Sequence, residues 1–190
     1  MLETVSSGSI EFGSHVLRID SAAEAAQIES AIRETLRRFK RRGMVVAVSG
    51  GIDSSVVLAI AVRAVGPQRV CALMLPEKDS SADTARLSRI VAESFGVDPI
   101  EENITEVLAA FGCYRRRDEA VRSVIPEYKT GDQLKIVLPS VVANDQLRVF
   151  TAVTKDEAGA IREARLSPDA YLGIVAASNF KQRVRKTFEY

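Results

Sequence analysis

Met44-Val45-Val46-Ala47-Val48, Ser49-Gly50-Gly51-Ile52-Asp53-Ser54 and Ser55-Val56-Val57-Leu58 follow one another without a break, and this stretch decides the fold. The first five residues are an apolar run of strand length without polar alternation, the pattern of a strand buried on both faces in a parallel sheet. Residues Ser54 to Val65 read as a helix stopped by Gly66-Pro67. Between them, Gly50 and Gly51 let the backbone turn sharply and bring out its N–H groups with no Cβ in the way. A helix that starts near Ser54 aims its positive dipole end and its free N–H groups at that turn. Ser49, Ser54 and Ser55 add hydroxyls, and Asp53 adds a hard oxygen ligand. Strand, loop and helix together suit a magnesium-bound polyphosphate. Asp53 could also cap the helix, and the two roles are compatible.

Working outward, the alternation continues. Upstream, Ser21 and Glu24 have capping-box spacing, and Ile28, Ile32, Leu36 and Phe39 predict an amphipathic helix over about 22–42. Its basic last turns complement the helix dipole. Downstream, Arg69 to Leu75 reads as a second strand and Pro76 to Ser80 as a polar loop. A helix follows with Leu87, Ile90, Val91 and Phe95 inward, then a short strand near 99–104 and a helix from Thr105. This order predicts an α/β doubly wound parallel sheet of Rossmann-like type. Residues 1–20 read as a lead-in and 21–190 as one domain.

The rhythm changes between about 112 and 168. Residues 133–138 and 146–153 are strand-like, with Asn144-Asp145 as the turn and a helix over 155–165. The prediction is an inserted hairpin and helix, serving either as an oligomer contact or as a substrate lid. Ser167 and Pro168 then open a last helix as N-cap and first residue. Phe180, Val184 and Phe188 form its apolar stripe, with Asn179, Arg183 and Lys186 along one polar side. No stop signal precedes Tyr190, which points to a fragment of a longer protein.

Composition narrows the function. The formal charge of +1 gives no bulk attraction to nucleic acid or membranes. The sequence has no apolar run of membrane-spanning length and no signal-peptide pattern, so a cytoplasmic location is expected. The single histidine, His15, reads as a surface residue and argues against a His-ligated metal site or a Ser-His-Asp triad within this chain. Cys71 and Cys113 form neither a disulfide framework nor a zinc motif, and Cys71 reads as a buried strand residue. Two rival nucleotide motifs are absent. The loop has neither the lysine nor the glycine spacing of G-x-x-x-x-G-K-[ST], and it is not G-x-G-x-x-G.

The strand, Ser-Gly-Gly-Ile-Asp-Ser loop and helix resemble the pyrophosphatase loop of the N-type ATP pyrophosphatases. Three further features are similar to ammonia-dependent NAD synthetase and its glutamine-dependent relatives. They are Leu73-Met74-Leu75-Pro76, the Ser80-Ser81 pair with Asp83, and Asn179-Phe180-Lys181-Gln182-Arg183-Val184-Arg185. The resemblance implies ATP-dependent amidation of nicotinic acid adenine dinucleotide by ammonia, through an acyl-adenylate, with release of AMP and pyrophosphate. It implies ATP contacts at Ala47, Val48, Ser49, Gly50, Gly51, Ile52, Asp53, Ser54, Ser55, Leu73 and Leu75. It implies Mg2+ on Asp53, and dinucleotide contacts from Arg183, Asn179, Lys181 and Arg185. A homodimer is implied too, with ammonia either free or from a glutaminase carried elsewhere. A Gly-Thr loop, a second acidic metal ligand and further basic residues would lie beyond Tyr190. Two other readings stand beside this one: a superfamily ligase that adenylates a different small carboxylate, and a non-catalytic nucleotide-binding module.

Overall fold

The computed structural model describes Gly13, residues 17–138 and residues 150–190. His15 and the Asn144-Asp145 turn lie outside the described residues. Three strands, β1 (Met44–Ala47), β2 (Val70–Met74) and β3 (Ile100–Glu101), form a parallel sheet in that order. Met44 stands opposite Val70, and Leu73 opposite Ile100. Alternate side chains of a strand point to opposite faces, and β2 supplies both faces with apolar residues. Val70 and Ala72 join Val46 and Val48 beneath α2 (Ile52–Val65) and α3 (Ala82–Ser94), where Leu58, Ala61 and Ala92 meet them. Leu73 and Leu75 face the other way. They pack on α4 (Thr105–Ala110), α5 (Cys113–Arg122) and α6 (Pro168–Phe188) through Ile104, Leu108, Tyr114, Ala177 and Val184. The sheet is therefore covered on both sides, as the expected α/β class requires.

Several local expectations shift. Helix α1 (Ser21–Arg38) is capped by Asp20, whose carboxylate accepts from the amides of Ala22 and Ala23 at 3.1 Å, so Ser21 lies inside the helix instead of capping it. It stops short of 42 because Lys40 adopts a positive φ of 53°. Helix α2 begins at Ile52, two residues before Ser54. Of the residues expected inward, Val91 packs against the core while Leu87, Ile90 and Phe95 are exposed, and the buried positions described on α3 are Ser88 and Ala92. Small side chains face inward there because the loop after β1 runs close beneath the helix. Ser88 Oγ donates to Thr84 O at 2.8 Å and lies 3.2 Å from Val48 O, which satisfies its buried hydroxyl.

The segment expected to hold a hairpin and a helix forms a second sheet. Strands β4 (Gln133–Val137), β5 (Thr151–Lys155) and β6 (Ile161–Arg165) pair antiparallel in sequence order. Residues 155–165 are thus a turn and a strand, not a helix. Asp156 accepts from the amides of Gly159 and Ala160, closing a tight turn that leaves Ile161 opposite Lys155. One face of this sheet packs Ala152 with Val121, Ile125 and Tyr128 from α5 and the loop after it, and with Ile174 from α6. Helices α5 and α6 approach closely at Gly173, where an added Cβ would meet Ala120 Cβ at 3.0 Å. Ser167 caps α6 as expected, accepting from the Ala170 amide at 3.2 Å. The helix ends at Phe188.

Candidate functional site

The loop after β1 is built by its own hydrogen bonds. The Val48 amide donates to Leu73 O at 2.9 Å and ties the strand's exit to β2. Ser54 Oγ donates to Gly51 O at 3.0 Å and accepts from the Ser49 amide at 3.2 Å. Ser55 Oγ donates to the same Gly51 carbonyl at 2.8 Å. These two hydroxyls therefore brace the loop and do not point out of it. The first helical bond runs from the Ser55 amide to Gly51 O, which leaves the amides of Ile52, Asp53 and Ser54 at the open end of α2. Asp53 is exposed at the second helical position, beside them.

Gly50 is required twice over. Its φ is 73°, a region that costs an L side chain strain, and a Cβ would sit 2.9 Å from Leu87 Cβ and 3.1 Å from Ser88 N and Thr84 O. Gly51, at φ −80°, is under no such constraint.

A cleft of about 510 Å³ opens at the carboxyl ends of β1 and β2. Ala47, Val48, Ser49, Leu73 and Leu75 line it, as does Arg185 from α6. Ser49 joins the cleft to the loop, and Gly50 to Ser55 continue away from the lining. Lys186, expected on the side of Asn179 and Arg183, lines this cleft and pairs with Glu189.

The other residues expected to bind substrate separate. Residues two apart on a helix lie about 200° apart around its axis, whereas residues four apart share a face. Lys181 and Arg185 therefore turn to the sheet's loops, both toward Glu77, at 2.9 and 4.0 Å. Asn179 and Arg183 line a separate cavity of about 450 Å³ with Cys113, Arg116 and Phe180. The four do not share one site.

Sequence reasoning missed a buried polar cluster beside the cleft. Glu77, 8% exposed, accepts from Tyr114 OH at 2.7 Å, Lys181 Nζ at 2.9 Å and the Asp79 amide at 3.1 Å. Asp118, 2% exposed, accepts from Arg117 Nε and Nη2 at 3.0 and 2.8 Å and from Thr130 Oγ1 at 2.8 Å. Asp79 bridges the two halves through Lys181 and Arg117. Burial pushes the Glu77 and Asp79 carboxyls up, but their hydrogen bonds and the neighbouring cations outweigh it and hold both below the usual range. Burial and the bond to Glu77 push the Tyr114 phenol well up, so it stays a donor. The spacing of Tyr114, Asp118, Val121 and Ile125 signals the helix that carries this cluster, but the run of arginines obscured it.

Cys113 is buried, with its thiol 3.4 Å from Ala177 O, and burial pushes its pKa up, the opposite of what a cysteine nucleophile needs. Cys71 is half-buried, contrary to the expectation of a core residue. Among the described residues no three His, Cys, Asp or Glu side chains converge to hold a metal. Asp53, exposed at the open end of α2, offers one hard carboxylate oxygen of the kind a divalent cation would take. No described helix is long and apolar enough to cross a membrane.

A family model described as NAD synthase matches residues 24–129, which take in β1, the Ser49–Ser54 loop, the cleft floor and the cluster as far as Asp118. The chain belongs to the NAD synthase family. Among curated NAD synthase relatives, the NH(3)-dependent NAD(+) synthetase of Rhizobium meliloti (strain 1021) is 46% identical over 179 residues, 94% of this chain and 54% of the relative. The NH(3)-dependent NAD(+) synthetase of Mesorhizobium japonicum is 44% identical over 92% of this chain and 55% of its own length. The chain thus spans about half the length of the curated NAD synthases it matches. A solved glutamine-dependent NAD+ synthetase from Acinetobacter baumannii, in complex with ADP, is 32% identical over 50% of this chain and 18% of its own, with a TM-score of 0.45.

Proposed function

We propose that this chain is the ATP-handling part of an ammonia-dependent NAD synthetase, which converts nicotinic acid adenine dinucleotide, ATP and ammonia to NAD, AMP and pyrophosphate. The observation that carries the reading is the junction of the Ser49–Ser54 loop with a cleft at the carboxyl ends of two parallel strands, where open α/β sheets bind ligands. In this reading the substrate carboxylate oxygen attacks the α-phosphorus, and the bond to the β-phosphate oxygen breaks. Ammonia then adds to the acyl carbon and AMP leaves.

The protein's work is to hold charge. The free amides of Ile52, Asp53 and Ser54 face the outgoing pyrophosphate at the positive end of α2, and Leu73 and Leu75 bound the adenine. Asp53 would hold Mg2+, which neutralises phosphate charge when bound. Arg185 faces the same cleft, and a contact from Arg183 to the dinucleotide would come from the opposite face of α6. The reading also carries a homodimer, supported by apolar side chains exposed on α2 such as Val56 and Val57. A cytoplasmic location is supported by the free thiols of Cys71 and Cys113.

Calorimetry with Mg-ATP and pyrophosphate release with the dinucleotide and ammonia test it together. Asp53→Asn should weaken Mg-ATP binding about ten- to a hundredfold, the loss of a charged ligand, with an unchanged melting temperature. Equal affinity in both proteins would remove the metal role. ATP binding without dinucleotide-dependent pyrophosphate release would instead favour a nucleotide-binding module.

A further inference from the structure

A second cleft, of about 490 Å³, runs along α6 beside the first. Both touch the loop after β2. The first takes Pro76, Ser80, Gln182 and Arg185, and the second takes Lys78, Asp79, Ser178 and Lys181. Its floor is apolar, with Leu134 and Ile136 from β4 facing Ile174 and Ala177 from α6. Two nearly buried cations, Arg117 and Lys181, project into it, and both contact one oxygen of Asp79, Oδ2.

The three carboxylates around these cations are not equivalent. Glu77 and Asp118 are deeply buried behind them, and each also accepts from a hydroxyl, of Tyr114 and Thr130 respectively. Asp79 sits in front, in a loop, with 34% of its side chain exposed. Among the described residues its carboxylate accepts only from the two cations. Apart from Asp79, Lys181 keeps a rear partner in Glu77 and Arg117 keeps one in Asp118. A carboxylate that two anchored cations share at the mouth of an apolar-floored cleft occupies the position an incoming anion would take. The remaining charged groups facing the cleft are Lys78 and Asp132, and Asp132 accepts from the Lys129 amide at 2.9 Å within its turn.

We propose that this cleft receives an anionic group of the acceptor substrate, carboxylate or phosphate on a largely apolar or aromatic body, through Arg117 and Lys181, and that Asp79 is the internal anion it displaces. The identity of that substrate rests on the function proposed above, whereas the two-cation site does not. The second sheet then has a part in binding. Its strand β4 closes the cleft, and Thr130, just before that strand, anchors Asp118 and through it Arg117.

Binding of nicotinic acid adenine dinucleotide and of NAD, which differ only in carboxylate against amide, is measured on the full chain by calorimetry, with Mg-ATP in parallel. Arg117→Gln should weaken dinucleotide binding about ten- to a hundredfold and leave Mg-ATP affinity alone. Asp79→Asn, a loop substitution that spares the buried pairs, should tighten it about threefold or more by removing the competing anion. Effects confined to the acid dinucleotide identify the carboxylate as the recognised group, and equal effects on NAD identify the diphosphate. Absent dinucleotide binding in the wild type, or unchanged affinity in Asp79→Asn, overturns the proposal while intact Mg-ATP binding leaves the nucleotide reading standing. Loss of Mg-ATP binding in the wild type sinks that reading and not this one.

Discussion

Replacing Gly50 by alanine tests whether the loop is held by backbone conformation and close packing or merely tolerates glycine. The left-handed φ costs an L residue about 1–2 kcal/mol. The new Cβ, 2.9 Å from Leu87 Cβ and 3.1 Å from two backbone atoms of α3, adds about 1–3 kcal/mol of overpacking, because backbone cannot rotate away as a side-chain tip can. Reduced freedom of the unfolded chain returns about 0.4–1 kcal/mol. The net expectation is a loss of about 1–5 kcal/mol. With a urea slope of about 2 kcal/mol per molar, the unfolding midpoint should fall by about 0.5–2.5 M. Gly51→Ala is the control. Its φ is ordinary and the nearest atom to its Cβ, Ser49 Oγ, is 3.5 Å away, so only the weaker N-cap preference is lost, about 1 kcal/mol or less. A midpoint shift for Gly51→Ala as large as that for Gly50→Ala would refute the reasoning. So would a Gly50→Ala midpoint within about 0.2 M of wild type.

Two more outcomes follow from the buried cluster. Asp118→Asn keeps the shape but removes the charge that Arg117 grips, and breaking such a buried pair should cost about 3–5 kcal/mol in chemical denaturation; a loss under about 1 kcal/mol would mean the pair is not what holds Arg117. The second outcome concerns acid. The folded-state pKa of Asp79 lies below its ordinary 3.8, so the stability it contributes is present above that value and disappears as pH falls through the lower one. The melting temperatures of wild type and Asp79→Asn should therefore differ near neutral pH and converge in strong acid, and a constant gap would contradict it.

How much was legible depended on the range of the interactions involved. The loop, β1 and α2 occupy one continuous stretch, so their apolar run and glycines carried their own explanation. Helix α5 carries Arg115, Arg116 and Arg117 in succession, a charged run that hides its buried face, and two of its partners, Glu77 and Lys181, lie 37 residues or more away from Tyr114 and Arg117 in the chain. Ile161-Arg162-Glu163-Ala164-Arg165 has helical composition, and strand pairing with β5 overrides that preference. The inward face of α3 could not be chosen by hydrophobicity, since the close approach at Gly50 favours Ser88 over Leu87.

The sequence by itself determined the class of fold and the position of the Ser49–Ser54 loop, because local backbone freedom, helix polarity and unbroken apolar runs act over a few residues. Asn179, Lys181, Arg183 and Arg185, expected together at the dinucleotide, instead divide between two faces of α6. Tertiary structure decided what each face meets. Lys181 is anchored by Glu77 and Asp79 from a loop about a hundred residues upstream, and Arg117 by Asp118, which Thr130 holds from just before β4. Such buried charges persist only where distant segments complete their set of partners, and no local pattern records that condition.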